Sequence, residues 1–171
     1  MNKIITVLFA LFILACNSKE DLRVDLHSFS EPHHVVTTHL DLDVEVDFEK
    51  EIISGKARYE IQNLTAHNQL VLDVNGLEIH KVTIDNKESS FHLGDQDPIL
   101  GQPLIIDIEE DTKAVSIFYQ TGAEAKALQW LNPIQTSGKK HPFLFTQSQA
   151  IHARTWLPCQ DSPGVRFSYT A

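Results

Sequence analysis

Residues 36–48 read VTTHLDLDVEVDF, and the polarity of this stretch alternates from one residue to the next. The even positions from Val36 to Phe48 are apolar or threonine, whereas the odd positions from Thr37 to Asp47 are polar and mostly acidic. Successive side chains of a β-strand point to opposite faces of the sheet, so a period of two is typical of a strand. The stretch therefore predicts one long strand with a buried even face and a wet, acidic odd face.

Shorter pieces on the C-terminal side continue this pattern. Ser54-Gly55 predicts a turn, and the inner face of the returning strand carries Ala57, Tyr59 and Ile61. Four further apolar runs predict strands, namely Leu70–Val74, Ile79–Ile84, Leu104–Ile108 and Val115–Tyr119. Turn-forming residues separate them, at Asn75-Gly76, Asp85-Asn86, Gly94-Asp95 and Gly101. With no helical period longer than about one turn, the 171 residues predict one all-β domain, an antiparallel β-sandwich or saddle-like sheet.

The C-terminal stretch 127–171 departs from the simple alternation. It contains both tryptophans, four of the seven prolines and Cys159. We expect Phe143–Arg154 to run extended, and Ser162–Val165 to form a type II turn with Gly164 at positive φ. Alternation resumes in the last residues, and we expect the domain's final strands to lie beyond residue 171.

Gln147 and Gln149 are the candidate binding residues of this stretch. Side-chain amides both donate and accept hydrogen bonds, so they suit the amine and carbonyl groups of a peptide; alternatively, they only satisfy an irregular backbone. Four runs carry a resemblance to a known family, namely Ala127–Leu131, Gln135–Gly138, Leu144–Arg154 and Leu157–Pro163. Together they resemble the N-terminal domain of zinc aminopeptidases of the aminopeptidase N type, closest to the leukotriene A-4 hydrolase branch.

The resemblance implies a role in anchoring the substrate. Gln147 and Gln149 then line the inner end of the pocket, Gln149 contacts the free α-amine of the peptide, and the backbone of Ala150 approaches the same end. A neutral amide at position 149, where some relatives carry a carboxylate, favours the leukotriene hydrolase branch. The remaining family-like residues are expected to be scaffold or core, namely His152, Arg154, Pro158, Asp161 and Pro163.

The resemblance also implies the activity of the parent protein, which is the removal of N-terminal residues from peptides. Zinc serves there as the Lewis acid and a glutamate as the general base, both in a catalytic domain beyond residue 171. We therefore expect this chain alone to be inactive and without cofactor, with no catalytic or metal-binding residue. The alternative is a stand-alone β-sandwich lipoprotein that binds peptide or glycan without catalysis. The reading frame beyond residue 171 distinguishes the two, because an HExxH motif there favours the enzyme and an immediate stop codon favours the binding protein.

The N-terminus predicts export. Lys3 and a short apolar run up to Ala15 are typical of a secretory signal, here residues 1–15, and too short for the roughly 20 residues of a membrane span. Ile13-Leu-Ala-Cys16 resembles a bacterial lipobox, in which Cys16 is acylated; the alternative is an ordinary signal with a chance cysteine. We expect residues 16–31 to tether the domain (32–171) to the bacterial outer membrane, where Lys19-Glu-Asp21 resembles a signal for the outer surface.

Charge and spacing exclude two other classes of site. The formal net charge is −9 and there is no basic cluster, which argues against nucleic acid as a partner. None of the nine histidines stands four residues from another, as a helical zinc motif requires. His33, His34 and His39 are interpreted as residues at the beginning of a strand, and Cys159 as a small buried apolar residue. The expected partners are a peptide, the chain's own catalytic domain and, through the lipid, a membrane.

Overall fold

The computed structural model describes residues 25–171, and these residues form an almost purely β structure. Eleven strands follow one another, β1 Val35–Asp47, β2 Ile52–Asn63, β3 Gln69–Val74, β4 Leu77–Ile84, β5 Lys87–Ser89, β6 Phe91–Leu93, β7 Gln102–Asp107, β8 Ala114–Thr121, β9 Leu128–Leu131, β10 Phe143–Thr146 and β11 Ser168–Thr170. Two short 3-10 helices, Pro133–Gln135 and Ala153–Thr155, accompany them. Within residues 25–171 no helix has the length and apolarity to cross a membrane. The predicted all-β class is confirmed.

The strands form two main sheets and one hairpin. The larger sheet has the order β11-β1-β2-β8-β4-β5, the second has the order β3-β7-β6, and β9 pairs with β10. All neighbours are antiparallel except β1 and β11, which are parallel. One cluster of buried apolar side chains joins the two main sheets and also takes in Leu157 and Cys159 from the C-terminal stretch. The C-terminal stretch is therefore fastened to the core of a sandwich.

The alternation that predicted β1 holds for only part of the strand. Val35 and Thr37 are buried at odd positions, whereas Leu40 is buried at an even one. The pairing with β2 shifts register between Thr37 and His39, because one residue there is bulged out of the ladder. A bulge reverses the faces of a strand, so the prediction of one even buried face was wrong before residue 39. On β2, the predicted inner residues Ala57, Tyr59 and Ile61 are all buried.

The turn predicted at Ser54-Gly55 is wrong, since both residues lie inside β2. The chain turns earlier, between the end of β1 at Asp47 and the start of β2 at Ile52. Gly55 has a φ of +153°, and a Cβ atom there would meet the main-chain oxygen of Asp43 on β1. The glycine is thus needed for a close approach of two strands rather than for a turn.

Two local predictions in the C-terminal stretch also need correction. The extended backbone from Phe143 ends with β10 at Thr146, and turns and a 3-10 helix follow where an extended run to Arg154 was expected. Residues 162–165 do turn, closed by a hydrogen bond from the Val165 N–H to the Ser162 carbonyl. Gly164 lacks the positive φ of a type II turn, because other turn types make the same bond with ordinary backbone angles.

The segment 25–31, expected to be the end of a tether, is hydrogen-bonded to the domain. The Ser28 hydroxyl and the Phe29 N–H both donate to the carboxylate of Asp73 on β3. The Ser162 hydroxyl donates to Asp25 at 2.6 Å. Residues 25–31 are thus part of the folded domain, while the predicted signal peptide and Cys16 lie outside the described residues.

Candidate substrate-binding edge

The candidate residues Gln147, Gln149 and Ala150 follow β10 directly and are all exposed. The Gln147 N–H donates to the Ala127 carbonyl at 2.8 Å, which prolongs the pairing with the segment before β9. The Gln147 side-chain oxygen then accepts the N–H of Gln149 at 3.1 Å. The peptide bond between Gln149 and Ala150 is cis. Gln147 therefore positions the backbone of Gln149, whereas no group among residues 25–171 hydrogen-bonds to the Gln149 amide.

The turn after Gln147 is also held by hydrogen bonds from the residues that follow it in the chain. The His152 N–H donates to the Ser148 carbonyl at 2.9 Å, and the Trp156 indole N–H donates to the Ser148 hydroxyl at 3.2 Å. Thr155 accepts the Ala127 N–H and donates to the His152 carbonyl. These bonds hold the turn from two directions, so the exposed amide sits on a fixed backbone.

Gln149 and Ala150 lie along a cleft of about 460 Å³ between the C-terminal stretch and the segment 25–31. The residues that line it are Asp25, His27, Gln149, Ala150, Ile151, Asp161, Ser162 and Pro163. Two of the three predicted binding residues thus share one concave surface, and Gln147 is not among the lining residues. The role predicted for all three, recognition of the substrate amine, stays a prediction.

Arg154 lies behind this cleft and is fully buried. Its Nε donates to Asp161 Oδ2 at 3.0 Å, and its terminal nitrogens donate to the carbonyls of Leu100, His27 and Asp161. One of those nitrogens also stands 3.6 Å from Asp73 Oδ1, whose side chain is equally buried. The arginine therefore ties four separate segments of the chain together behind the cleft.

Asp73 completes this buried cluster. Burial raises the pKa of its carboxyl above the usual value, while hydrogen bonds from Ser28, Phe29 and the Asp161 N–H, together with the charge of Arg154, act in the opposite direction. Hydrogen bonds and a nearby cation favour the ionised form, since both interact more strongly with the charged carboxylate. The Arg154–Asp73–Asp161 cluster thus pairs buried charges with a full set of hydrogen bonds.

Two more contacts fix the residues between Arg154 and Asp161. The Tyr59 hydroxyl donates to the Pro158 carbonyl at 2.8 Å. The Gln160 side chain accepts from the Thr37 N–H and hydroxyl and donates to the Val35 carbonyl. The sequence correctly marked Arg154 and Asp161 as family-like residues, but it gave no sign of Asp25, His27 or Asp73, because nothing in a local pattern shows which distant residues meet them.

The cleft does not fit the catalytic zinc that the resemblance implies. Its potential ligands are Asp25, His27 and Asp161, but both carboxylates already accept hydrogen bonds from within the domain. Among residues 25–171, the one grouping of three potential ligand atoms is Glu31, His34 and His67, and none of them lines the cleft. The expectation that zinc ligands of the active site lie outside this chain stays a prediction.

Comparisons of sequence place the chain among peptidases. Residues 36–171 match the family described as Peptidase M1 N-terminal domain. Leucine aminopeptidase 2 of Phaeosphaeria nodorum is 35% identical over 152 residues, covering 85% of this chain and 24% of that protein. Leukotriene A-4 hydrolase of Xenopus laevis is 37% identical over 151 residues, covering 85% of this chain and 25% of that protein. The chain thus spans about a quarter of the length of these curated relatives.

Comparisons with solved structures agree with the family found by the sequence comparisons. Yeast leukotriene A-4 hydrolase in complex with bestatin superposes with a TM-score of 0.82 at 33% identity, covering 93% of this chain and 26% of that one. An M1 zinc metallopeptidase of Deinococcus radiodurans, bound to a Tyr-Ser-Ala substrate, has a TM-score of 0.60 at 17% identity and covers 80% of this chain. That second likeness is one of fold alone. The resemblance inferred from residues 127–163 is thereby confirmed.

Proposed function

The chain belongs to the Peptidase M1 N-terminal domain family, and we propose that it is the substrate-anchoring domain of a zinc aminopeptidase. The parent protein removes N-terminal residues from peptides, and this domain holds the free α-amine. The observation that carries the proposal is Gln149, an exposed amide on a fixed turn at the rim of the cleft. Its carbonyl oxygen is an acceptor, and an ammonium group is a donor only.

Gln147 and Gln149 have different roles, because within residues 25–171 only the Gln147 side chain is already hydrogen-bonded. The Gln147 amide oxygen is already bonded to the backbone of Gln149, so Gln147 supports the contact and Gln149 makes it. The exposed backbone of Ala150 stands beside it at the same cleft. Zinc, held by a catalytic domain, supplies a Lewis acid for peptide hydrolysis. This chain supplies the register, because a peptide whose amine is held here presents its first peptide bond at a fixed distance.

The test is the kinetics of the full-length protein on an aminoacyl-arylamide with Gln149→Ala. A hydrogen bond to a charged group contributes roughly 1.5–3 kcal/mol, and 1.4 kcal/mol is a factor of ten. We expect kcat/KM to fall by about 10- to 150-fold. Most of the loss should appear in KM, since the amine is held equally in the ground and transition states.

Gln149→Glu sharpens the test. A carboxylate facing an ammonium group keeps or improves activity, whereas an exposed amide with no role in binding would leave the kinetics of both Gln149→Glu and Gln149→Ala unchanged. The matched control is Gln62→Ala, an exposed glutamine on β2, which should leave both kinetics and melting temperature unchanged. If both Gln149 variants lose activity only in proportion to lost folding, Gln149 is scaffold. If the full-length protein binds peptide but hydrolyses none, the stand-alone binding lipoprotein is the better interpretation.

We propose further that the protein is exported and anchored through Cys16 to the outer membrane of a bacterium. The support is the run Ile13-Leu-Ala-Cys16 behind a basic and apolar leader. Each buried methylene of an acyl chain contributes about 0.8 kcal/mol, so several chains make release negligible. Cys16→Ser should abolish labelling by a radioactive fatty acid and leave the protein unprocessed or soluble. Unchanged processing and unchanged membrane retention in that variant would overturn the anchor.

A further inference from the structure

Glu31, His34 and His67 form a cluster that the proposed function does not use. Each offers one potential ligand atom, and the three atoms lie within 4.8 Å of one another. Glu31 and His34 belong to the turn before β1, and His67 to the loop between β2 and β3. We propose that this cluster binds a divalent transition-metal ion of the zinc type. The expectation of no metal site came from helical spacing, and that rule does not cover ligands from two separate turns.

Among residues 25–171, the hydrogen bonds of the two imidazoles occupy only one nitrogen of each ring. His34 Nδ1 lies 2.8 Å from the Thr65 hydroxyl oxygen, and His67 Nδ1 lies 3.1 Å from the Gln69 carbonyl. The Gln69 N–H also faces His67 Nδ1, at the longer distance of 3.3 Å. With Nδ1–H donating to these oxygens, each Nε2 keeps its lone pair. Metal-binding histidines are oriented in this way, by a hydrogen bond from the other ring nitrogen.

The backbone around the cluster is cross-linked before any metal binds. The His34 N–H donates to the Glu31 carbonyl at 2.9 Å, and the His34 carbonyl accepts the Leu64 N–H at 2.8 Å. The Asn63 side-chain amide makes two hydrogen bonds to the backbone of His67, donating to the carbonyl at 2.7 Å and accepting the N–H at 2.9 Å. All three ligand-bearing residues are therefore held in one bonded network. Such preorganisation reduces the entropy lost on binding.

The donor set selects the class of ion. Two imidazoles and one carboxylate suit zinc and its neighbours copper, nickel and cobalt, whereas magnesium and calcium prefer oxygen ligands throughout. Zinc–nitrogen bonds of about 2.0–2.1 Å place tetrahedral ligand atoms roughly 3.3 Å apart. The two rings stack with centroids 4.6 Å apart and 16° between their planes. Because the lone pair of each nitrogen lies in its ring plane, binding requires one ring to turn until both lone pairs point at the ion. The exposed Glu31 side chain rotates to complete the ligand set. Water takes the fourth position.

A metal ion here joins the segment in front of β1 to the loop after β2. That segment is the start of the domain, where residues 25–31 fold onto Asp73 and Arg154. The site is distinct from the cleft, since none of its three ligands lines it. Its role is structural, a clamp at the edge of the domain, and it does not depend on the proposed peptidase activity.

The test counts zinc in the full-length protein, prepared without a histidine tag and dialysed against micromolar zinc. Wild type should contain one zinc per chain more than Glu31→Gln, His34→Ala or His67→Ala. In calorimetric titrations with zinc, losing a histidine should weaken this site by at least about 100-fold, and Thr65→Val, which removes only the orienting hydroxyl, by about 10-fold. His92→Ala, an exposed histidine on β6, is the matched control and should keep the full zinc content.

Equal zinc content in wild type and all three cluster variants overturns the proposal, and so does an equal loss in His92→Ala. Circular dichroism checks the folding of each variant. If His67→Ala misfolds, Glu31→Gln decides alone, because the Glu31 side chain is exposed and is not part of the core. Counting metal needs no enzymatic activity, so this result stands whether or not the full-length protein hydrolyses peptides.

Discussion

Arg154→Met removes the charge at the centre of the buried cluster while keeping a long, flexible side chain. Arg154 has 0% exposure and is the cation that faces Asp73, which also has 0% exposure. Its loss also removes donors from three main-chain carbonyls, at Leu100, His27 and Asp161. Breaking a buried ion pair from one side destabilises by about 3–5 kcal/mol. A domain is stable by only about 5–15 kcal/mol, so the variant should lose a large part of that stability.

Hydrogen exchange followed by mass spectrometry on the full-length protein locates the effect. Peptides covering residues 25–31, 97–103 and 159–163 should exchange roughly a hundredfold faster or more, since they open with a lower free energy. The matched control is Arg58→Met, an arginine paired with Asp41 at 2.8 Å with 35% of its side chain exposed. A surface pair of this kind contributes about 0–1 kcal/mol, so Arg58→Met should change little.

A double-mutant cycle refines the argument. In an Asp73→Asn background, Arg154→Met should cost less than in wild type by about 0.5–3 kcal/mol, the usual coupling between residues in contact. Strict additivity, or an Arg154→Met variant no less stable than Arg58→Met, would show that the buried charges do not stabilise each other. In that case the cluster would not be what fixes the residues behind the cleft.

Three further predictions concern the core behind the site. Tyr59→Phe should lower the free energy of unfolding by about 1 kcal/mol, because it leaves the Pro158 carbonyl without its buried donor. Tyr169→Phe, on the exposed surface, should leave that free energy unchanged, and urea titration measures both. Gly55→Ala should lower the melting temperature, because its Cβ meets the Asp43 main-chain oxygen at positive φ, whereas Gly138→Ala has open space; equal melting temperatures would contradict this. Burial raises the pKa of Cys159 well above its ordinary value of 9.0, so the native thiol should resist iodoacetamide at pH 8. The thiol of the unfolded chain ionises at a lower pH than the buried thiol, so the contribution of Cys159 to the free energy of unfolding is complete below about pH 9 and is lost as the pH rises above it. Rapid labelling of the native protein would argue against burial.

Strand existence was predictable because alternation and turn residues are local signals. The inner face of β2, with Ala57, Tyr59 and Ile61, follows directly from that alternation. The bulge in β1 was not predictable, because Thr37 serves as a buried residue only through its bonds to Gln160, more than a hundred positions along the chain. Gly55 was mistaken for a turn because a glycine required by a neighbouring strand has the same local context as one required by a turn.

The candidate residues could be named from the sequence, but the residues that surround them could not. The C-terminal stretch carries Gln147, Gln149 and Arg154 in a motif that resembles a family, so these positions could be named from the sequence. The opposite wall of the cleft comes from residues 25–31, which composition marked only as a polar tether. The Glu31, His34 and His67 cluster was missed for the same physical reason, since two turns distant in sequence meet only after β1 and β2 pair.

The charges around the cleft bear on the proposed role of the neutral amide at position 149. Asp25 and Asp161 line the cleft, and the Ser162 hydroxyl bonded to Asp25 is the main cause that lowers the pKa of that carboxyl, so it is ionised at neutral pH. Within residues 25–171, Arg154 stands 3.6 Å from Asp73 and 3.0 Å from Asp161, so its single positive charge is shared by two carboxylates, and Asp25 lies on the same cleft. On the proposed function, these carboxylates, each held by hydrogen bonds within the domain, attract an ammonium group towards the cleft. On the same proposal the direct contact is made by Gln149, whose amide no group among residues 25–171 hydrogen-bonds, so its variants should change how firmly the amine is held rather than whether it is attracted.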